Sequence, residues 1–152
     1  MLSTTQVMQY DGIFRYSAEE PLKDLVFDNL KNPLGVLHEQ LSKPYQSRPK
    51  ILEYKFCLDG LIREFESEIK NQSDITLVIF WDFGVEHLKE YNVISYLDSD
   101  NIHQRPHHGI THSLTSAYTK FDAICLKELI EFLNDPGKSQ SYQKKTHGDQ
   151  LF

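Results

Sequence analysis

Cysteine is nearly absent from these 152 residues, and the two that occur, Cys57 and Cys125, each sit inside an apolar segment. That placement predicts two separate buried thiols in a reducing, cytoplasmic compartment rather than a disulfide-stapled secreted domain. No apolar run approaches the roughly 20 residues needed to cross a bilayer, so no membrane partner is expected. The N-terminal MLSTTQVMQYDG also lacks the basic start and long apolar centre of a secretory signal. Positive charge is in short supply: 16 Lys and Arg against 22 Asp and Glu give a formal charge of -6. This argues against a nucleic-acid coat protein, which needs concentrated cations to displace counterions. It leaves room for a metal-dependent phosphodiesterase, whose site gathers carboxylates that a bound ion then neutralises. A glycine-rich phosphate loop, a G-x-S-x-G elbow and a dinucleotide fingerprint are all missing, which leaves kinase, serine hydrolase and dehydrogenase chemistry without residues to perform it.

What is present centres on residues 49 to 83. In Ile51-Leu52-Glu53-Tyr54-Lys55-Phe56 a strand sends Ile51, Glu53 and Lys55 to one face and Leu52, Tyr54 and Phe56 to the other. Two residues of strand span roughly 6.6 Å, so the acid and the base can both reach one phosphate-sized group. Leu58, Leu61, Ile62, Phe65 and Ile69 then recur at helical offsets through Lys70. Ile75 to Phe80 is an unbroken β-rich run of the kind covered on both sides in a sheet interior. Strand, helix and strand of these lengths predict a right-handed crossover with parallel strands.

The flanks are read around this unit. Residues 7 to 15 form strand around Asp11-Gly12, which is either a tight turn or a bend within one strand; the bend places Asp11 at the edge of β-structure. A short helix is expected over Leu22 to Leu30, whereas Leu34 to Leu41 fits strand and helix equally. Tyr91 to Leu97 and Ala123 to Leu126, the latter extended forward to Lys120, read as strands. Leu126, Leu129, Ile130 and Leu133 mark a helix with a clear apolar stripe. Asp82 ends the central strand as either a site acid or a turn cap. The whole predicts one α/β domain over residues 1–137, a mixed sheet of four to six strands flanked by helices, followed by a disordered polar tail over 138–152.

Between the last two strands, Ile102 to Thr119 reads as a long polar loop carrying His103, Arg105, His107, His108 and His112. Imidazoles at this density suit zinc, but Pro106 and Gly109 break the helix that i, i+4 ligation needs, and no cysteine lies nearby. Structural or phosphate-contacting histidines are the preferred reading.

An acid on one strand and an acid-x-Lys on the next, followed by a helix and a buried strand, resembles the PD-(D/E)XK nuclease superfamily. The likeness runs through Asp11, Glu53-Tyr54-Lys55, the helix from Leu58 and ITLVIFWDF. With the HHGITHSL loop and FDAICLKELI it is most similar to nuclease-like domains associated with bacterial GHKL-type ATPases. The resemblance implies a restriction-endonuclease-like core and a Mg²⁺ (or Mn²⁺) dependent nuclease acting on DNA. In it Asp11, Glu53 and Lys55 are catalytic, Asp11 and Glu53 ligate the metal with the Tyr54 carbonyl as a further candidate, and Arg105, His108 and His112 contact phosphates. Tyr10 stands where the family has proline, and the stretch from 11 to 53 is long, so Asp24, Asp28 and Glu39 are rival first acids. The alternative is a module of the same fold without catalysis, serving an ATPase or a bacterial defence complex.

Overall fold

Alternation in KILEYKFC produces an eight-residue strand, β4 (Lys50–Cys57), that organises the sheet. The computed structural model describes residues 10–18, 26–37 and 45–148. Helix α1 (Leu58–Glu66) follows directly and buries Leu58, Leu61 and Ile62, leading into β5 (Leu77–Asp82). The crossover makes β4 and β5 parallel, with Glu53 opposite Val78 and Lys55 opposite Phe80. β5 is also parallel to β8 (Lys120–Cys125), and its run of Leu, Val, Ile and Phe suits a strand flanked on both sides.

The sheet has six strands. β1 (Gly12–Phe14) runs antiparallel to β4 at one edge, while β7 (His112–Thr115) and β6 (Asn92–Ser95) continue antiparallel beyond β8. The order is β1-β4-β5-β8-β7-β6, a mixed sheet with helices packed against it. A separate ribbon pairs β2 (Ser17–Ala18) with β3 (Tyr45–Gln46). Gly12 is not among the positive-φ residues, and it pairs with Leu52. Asp11-Gly12 is therefore the entry to an edge strand, not a primed hairpin turn.

One face of the sheet carries the larger core, in which Ile51, Val78, Phe80, Leu114, Phe121 and Ala123 meet α1. The opposite face carries a smaller cluster of Tyr16, Leu52, Leu77, Tyr96 and Ile110. Toward the C-terminal ends of β4 and β5 that second face is bare, leaving Tyr54, Phe56 and Trp81 exposed.

Several expectations are corrected. α1 stops at Glu66 rather than Lys70, because Glu68 adopts a left-handed φ of 60° and the amides of Ile69 and Lys70 turn back to the Glu64 carbonyl. Val26 to Leu30 is not helical: Val26 bridges Val36 and Asp28 bridges Asn32. The rest of that expected helix, and residues 38–41 of the next segment, lie outside the described residues. The loop expected over 102–119 is shortened by a 3₁₀ turn at Ser99–Gln104 and by β7.

The final helices differ most. α2 (Leu126–Asn134) buries Glu128 and Phe132 and leaves Leu126, Ile130 and Leu133 exposed, the reverse of what its apolar stripe predicts. Residues 136–147, nearly all of them assigned above to a disordered tail, form helix α3 (Pro136–His147), N-capped by the Asp135 carboxylate. It has no apolar stripe because it docks through polar groups, burying Ser139, Gln143 and His147. Its signal is hydrogen bonding, which hydrophobic periodicity does not register.

Candidate active site

Strand alternation places Glu53 and Lys55 on the α1 side of β4, and the antiparallel edge strand brings Asp11 to them. The Tyr54 amide donates to Asp11 Oδ2 at 2.8 Å, which fixes that carboxylate beside β4. The Asp11 and Glu53 carboxyls lie close enough to shift each other's affinity for a proton. Glu53 is 1% exposed, whereas Asp11 is open to solvent. Tyr10, where the nuclease pattern has proline, is buried and donates its hydroxyl to Asp74 Oδ2 at 2.9 Å, so it anchors the segment that delivers Asp11.

Three acids and two bases form a chain through Glu53. Lys70, brought back by the unwinding of α1, pairs with Glu53 and with Glu64 Oε2 at 2.8 Å. Lys55 pairs with the other oxygen of Glu64. Tyr10 covers the cluster, with Lys70 Nζ 5.9 Å from its ring centroid. The chain Asp11, Glu53, Lys70, Glu64, Lys55 thus links β4, α1 and the start of β1.

The electrostatics are uneven along that chain. Burial is the largest influence on Glu53 and, with the neighbouring Asp11 charge, raises its carboxyl above the ordinary value despite Lys70. Asp11 is less buried; there the Tyr54 amide, Glu53 and the two lysines outweigh desolvation and hold its carboxyl low. Glu64 is held low against desolvation by Lys55 and Lys70, and Lys70 is raised against desolvation by the two glutamates. Two adjacent carboxyls with oppositely displaced affinities titrate as a coupled pair. Among the described residues, Glu53 Oε2 is buried without a hydrogen-bond donor. An oxygen in that state beside a second carboxylate fits an oxygen-preferring divalent ion.

The remaining expected site residues do not join this cluster. Arg105, read as a phosphate contact, is buried at 3% exposure; it donates to the Pro33 carbonyl at 2.9 Å and to that of Gly35, and burial lowers its affinity for a proton to a pKa of about 10. His112 is wholly buried on β7 with Nε2 3.0 Å from Gln143 Oε1. Neither reaches a ligand at the surface, because both serve as internal ties. His108 is half-buried, 6.5 Å from the Tyr16 ring in an edge-on arrangement. Of the rival acids, Asp28 caps the Leu30 and Lys31 amides in an exposed turn, while Asp24 and Glu39 lie outside the described residues. Asp82 accepts from the Gly84 amide at 3.4 Å, the geometry of a turn cap.

Glu64 and Lys70 are the members that the sequence reading passed over. Both lie off the apolar stripe of the helix expected through Lys70, where charged residues are ordinarily solvated; the break at Glu68 turns Lys70 inward. Comparison with family models, with curated proteins and with solved structures returns no match.

Proposed function

We propose that the chain is a metal-dependent nuclease of the PD-(D/E)XK type, hydrolysing phosphodiesters of DNA on a restriction-endonuclease-like core. The observation that carries this reading is the meeting of Asp11 and Glu53 across two antiparallel strands, with Lys55 on the same face of β4. Asp11 and Glu53, with the Tyr54 carbonyl beside them, would hold Mg²⁺ or Mn²⁺. Such an ion supplies Lewis-acid charge and acidified water. Asp11, the exposed member, faces solvent where a substrate arrives, and Glu53, the buried one, would bind the ion from the sheet side. Lys55 and Lys70 offset phosphate charge, and Glu64 keeps the two ammonium groups from repelling each other.

The test is cleavage of plasmid and linear DNA in Mg²⁺ by the wild type, Glu53→Gln and Lys55→Ala, with far-UV circular dichroism as the folding control. Wild-type cutting that both substitutions abolish supports the assignment. Undiminished cutting in both variants removes it.

A second reading rests on a different observation. Tyr54, Phe56 and Trp81 on the bare sheet face, and Leu126, Ile130 and Leu133 on α2, are exposed. Tyr54, Phe56, Trp81 and Leu126 line one shallow concavity, and exposed apolar surface of this kind marks a protein contact. In this reading the chain is a nuclease-fold binding or regulatory module of a larger complex, such as one containing an ATPase, and the internal pairing of Lys55 and Lys70 replaces the metal. Isothermal titration with Mg²⁺ separates the two: saturable binding that Glu53→Gln removes belongs to the nuclease, and no heat at millimolar ion belongs to the module.

A further inference from the structure

Away from the Asp11–Glu53 cluster, three elements distant in sequence converge on one buried point. β7 supplies His112, α2 supplies Glu128 and α3 supplies His147, with side chains 0%, 6% and 4% exposed. His147 Nε2 lies 2.9 Å from Glu128 Oε1 and His112 Nε2 lies 3.5 Å from that same oxygen. One ligand atom from each residue falls within 4.8 Å of the others.

We propose that His112, Glu128 and His147 form a zinc site that clasps α3 to the sheet. Zinc bonds of about 2.0–2.1 Å set tetrahedral donor atoms roughly 3.3 Å apart, so the two separations to Glu128 need to change by only a few tenths of an ångström, and the two rings, whose donor atoms lie within 4.8 Å, would draw together around the ion. Two imidazole nitrogens and one carboxylate select zinc over magnesium, which takes oxygen ligands. The surrounding groups match the outer shell of such a centre. Thr111 Oγ1, 2.7 Å from His112 Nδ1, orients that ring with Nε2 toward Glu128. Gln143 borders the site, with Oε1 3.0 Å from His112 Nε2 and Nε2 donating to Glu128 Oε1 at 2.7 Å.

One further observation calls for a cation here. Among the described residues, the ion pairs of Glu128 are to the two histidines alone, and a carboxylate so deeply buried needs a positive partner. Phe83 walls the site, its ring 4.9 Å from those of both His112 and His147, which keeps the donors dry. The clasp also supplies what α3 lacks in sequence, namely an attachment for a helix with no apolar stripe.

The experiment uses the full chain, purified and treated with a chelator selective for zinc over magnesium, then titrated with Zn²⁺. Expected are about one zinc retained per chain after dialysis, visible absorption of a tetrahedral Co²⁺ complex on substitution, and a melting temperature raised by roughly 5–10 °C at zinc about 100-fold above Kd. Glu128→Gln and His147→Gln should each lose the Co²⁺ spectrum, with far-UV circular dichroism reporting whether they remain folded. The wild-type chain decides the matter by itself if both variants unfold. A chain that stays metal-free in micromolar zinc and melts at one temperature with and without it overturns the proposal, as does a Co²⁺ spectrum that survives in both folded variants.

Discussion

Replacing Lys70 with methionine keeps most of the side-chain volume and removes only the charge that pairs with Glu53. The Glu53 side chain is 1% exposed and that of Lys70 11%, so Lys70→Met leaves a carboxylate in the interior with Asp11 beside it. Breaking a buried pair from one side costs about 3–5 kcal/mol. The chain recovers part of that by protonating Glu53, whose carboxyl burial already raises. A net loss of about 3 kcal/mol at pH 7 is therefore expected, which for a chain of this length lowers Tm by roughly 6–12 °C. Urea denaturation read by tryptophan fluorescence and circular dichroism measures it. The loss should shrink on acidification, as Glu53 takes up a proton, and Glu53→Gln in the same chain should restore most of the stability, because neither partner is then left charged. A Lys70→Met protein within about 0.5 kcal/mol of wild type, or a double variant no better than the single one, would refute the reasoning.

Phe132→Ala should destabilise by about 3–5 kcal/mol, since Phe132 is fully buried, whereas Leu133→Lys on the exposed side of α2 should change stability by no more than about 0.5 kcal/mol; urea melts giving the opposite order would return α2 to the orientation its sequence suggests. Gly84 has φ +67°, and a Cβ there would come 2.4 Å from the Asp59 carboxylate that accepts the Val85 and Glu86 amides at 3.0 and 2.8 Å; Gly84→Ala should cost about 1–3 kcal/mol, read as a lowered Tm. His107 and His108 are held below the ordinary value of 6.5, chiefly by burial. Below pH 6.5 the folded chain then binds fewer protons than the unfolded one, so their contribution to stability is present above that pH and is lost as pH falls through the folded values. Titration of both rings by NMR to midpoints under 6.5 is expected, and midpoints above it would contradict the burial argument.

The central crossover was legible because its signals are local: period-2 alternation in ILEYKF, helical spacing from Leu58 and an apolar run from Ile75 each specify one element, and short connections leave one arrangement. The approach of Asp11 to β4 has no local signal, since nothing in residues 7 to 15 says which strand they will pair with. Lys70 was missed because a helix break at a glutamate carries no sequence mark. α2 misled because Leu126, Ile130 and Leu133 form the more apolar stripe, yet the face that turns inward carries Glu128, whose hydrogen bonds to Gln143 at 2.7 Å and His147 at 2.9 Å exist only once α3 has docked. Polar docking of this sort depends on partners far along the chain, so no window of sequence contains it.

The docking of α3 also bears on where this chain can be cut. A boundary drawn after Gly137, where composition turns polar, would strip from Glu128 two of the donors that solvate it and expose Ser95, whose hydroxyl rests 2.6 Å from Gln143. A shortened polypeptide of that kind keeps every strand of the sheet and still carries an interior anion with too little to hold it. Expression trials that trim the polar end would therefore lose soluble protein for an electrostatic reason, although the residues removed look dispensable.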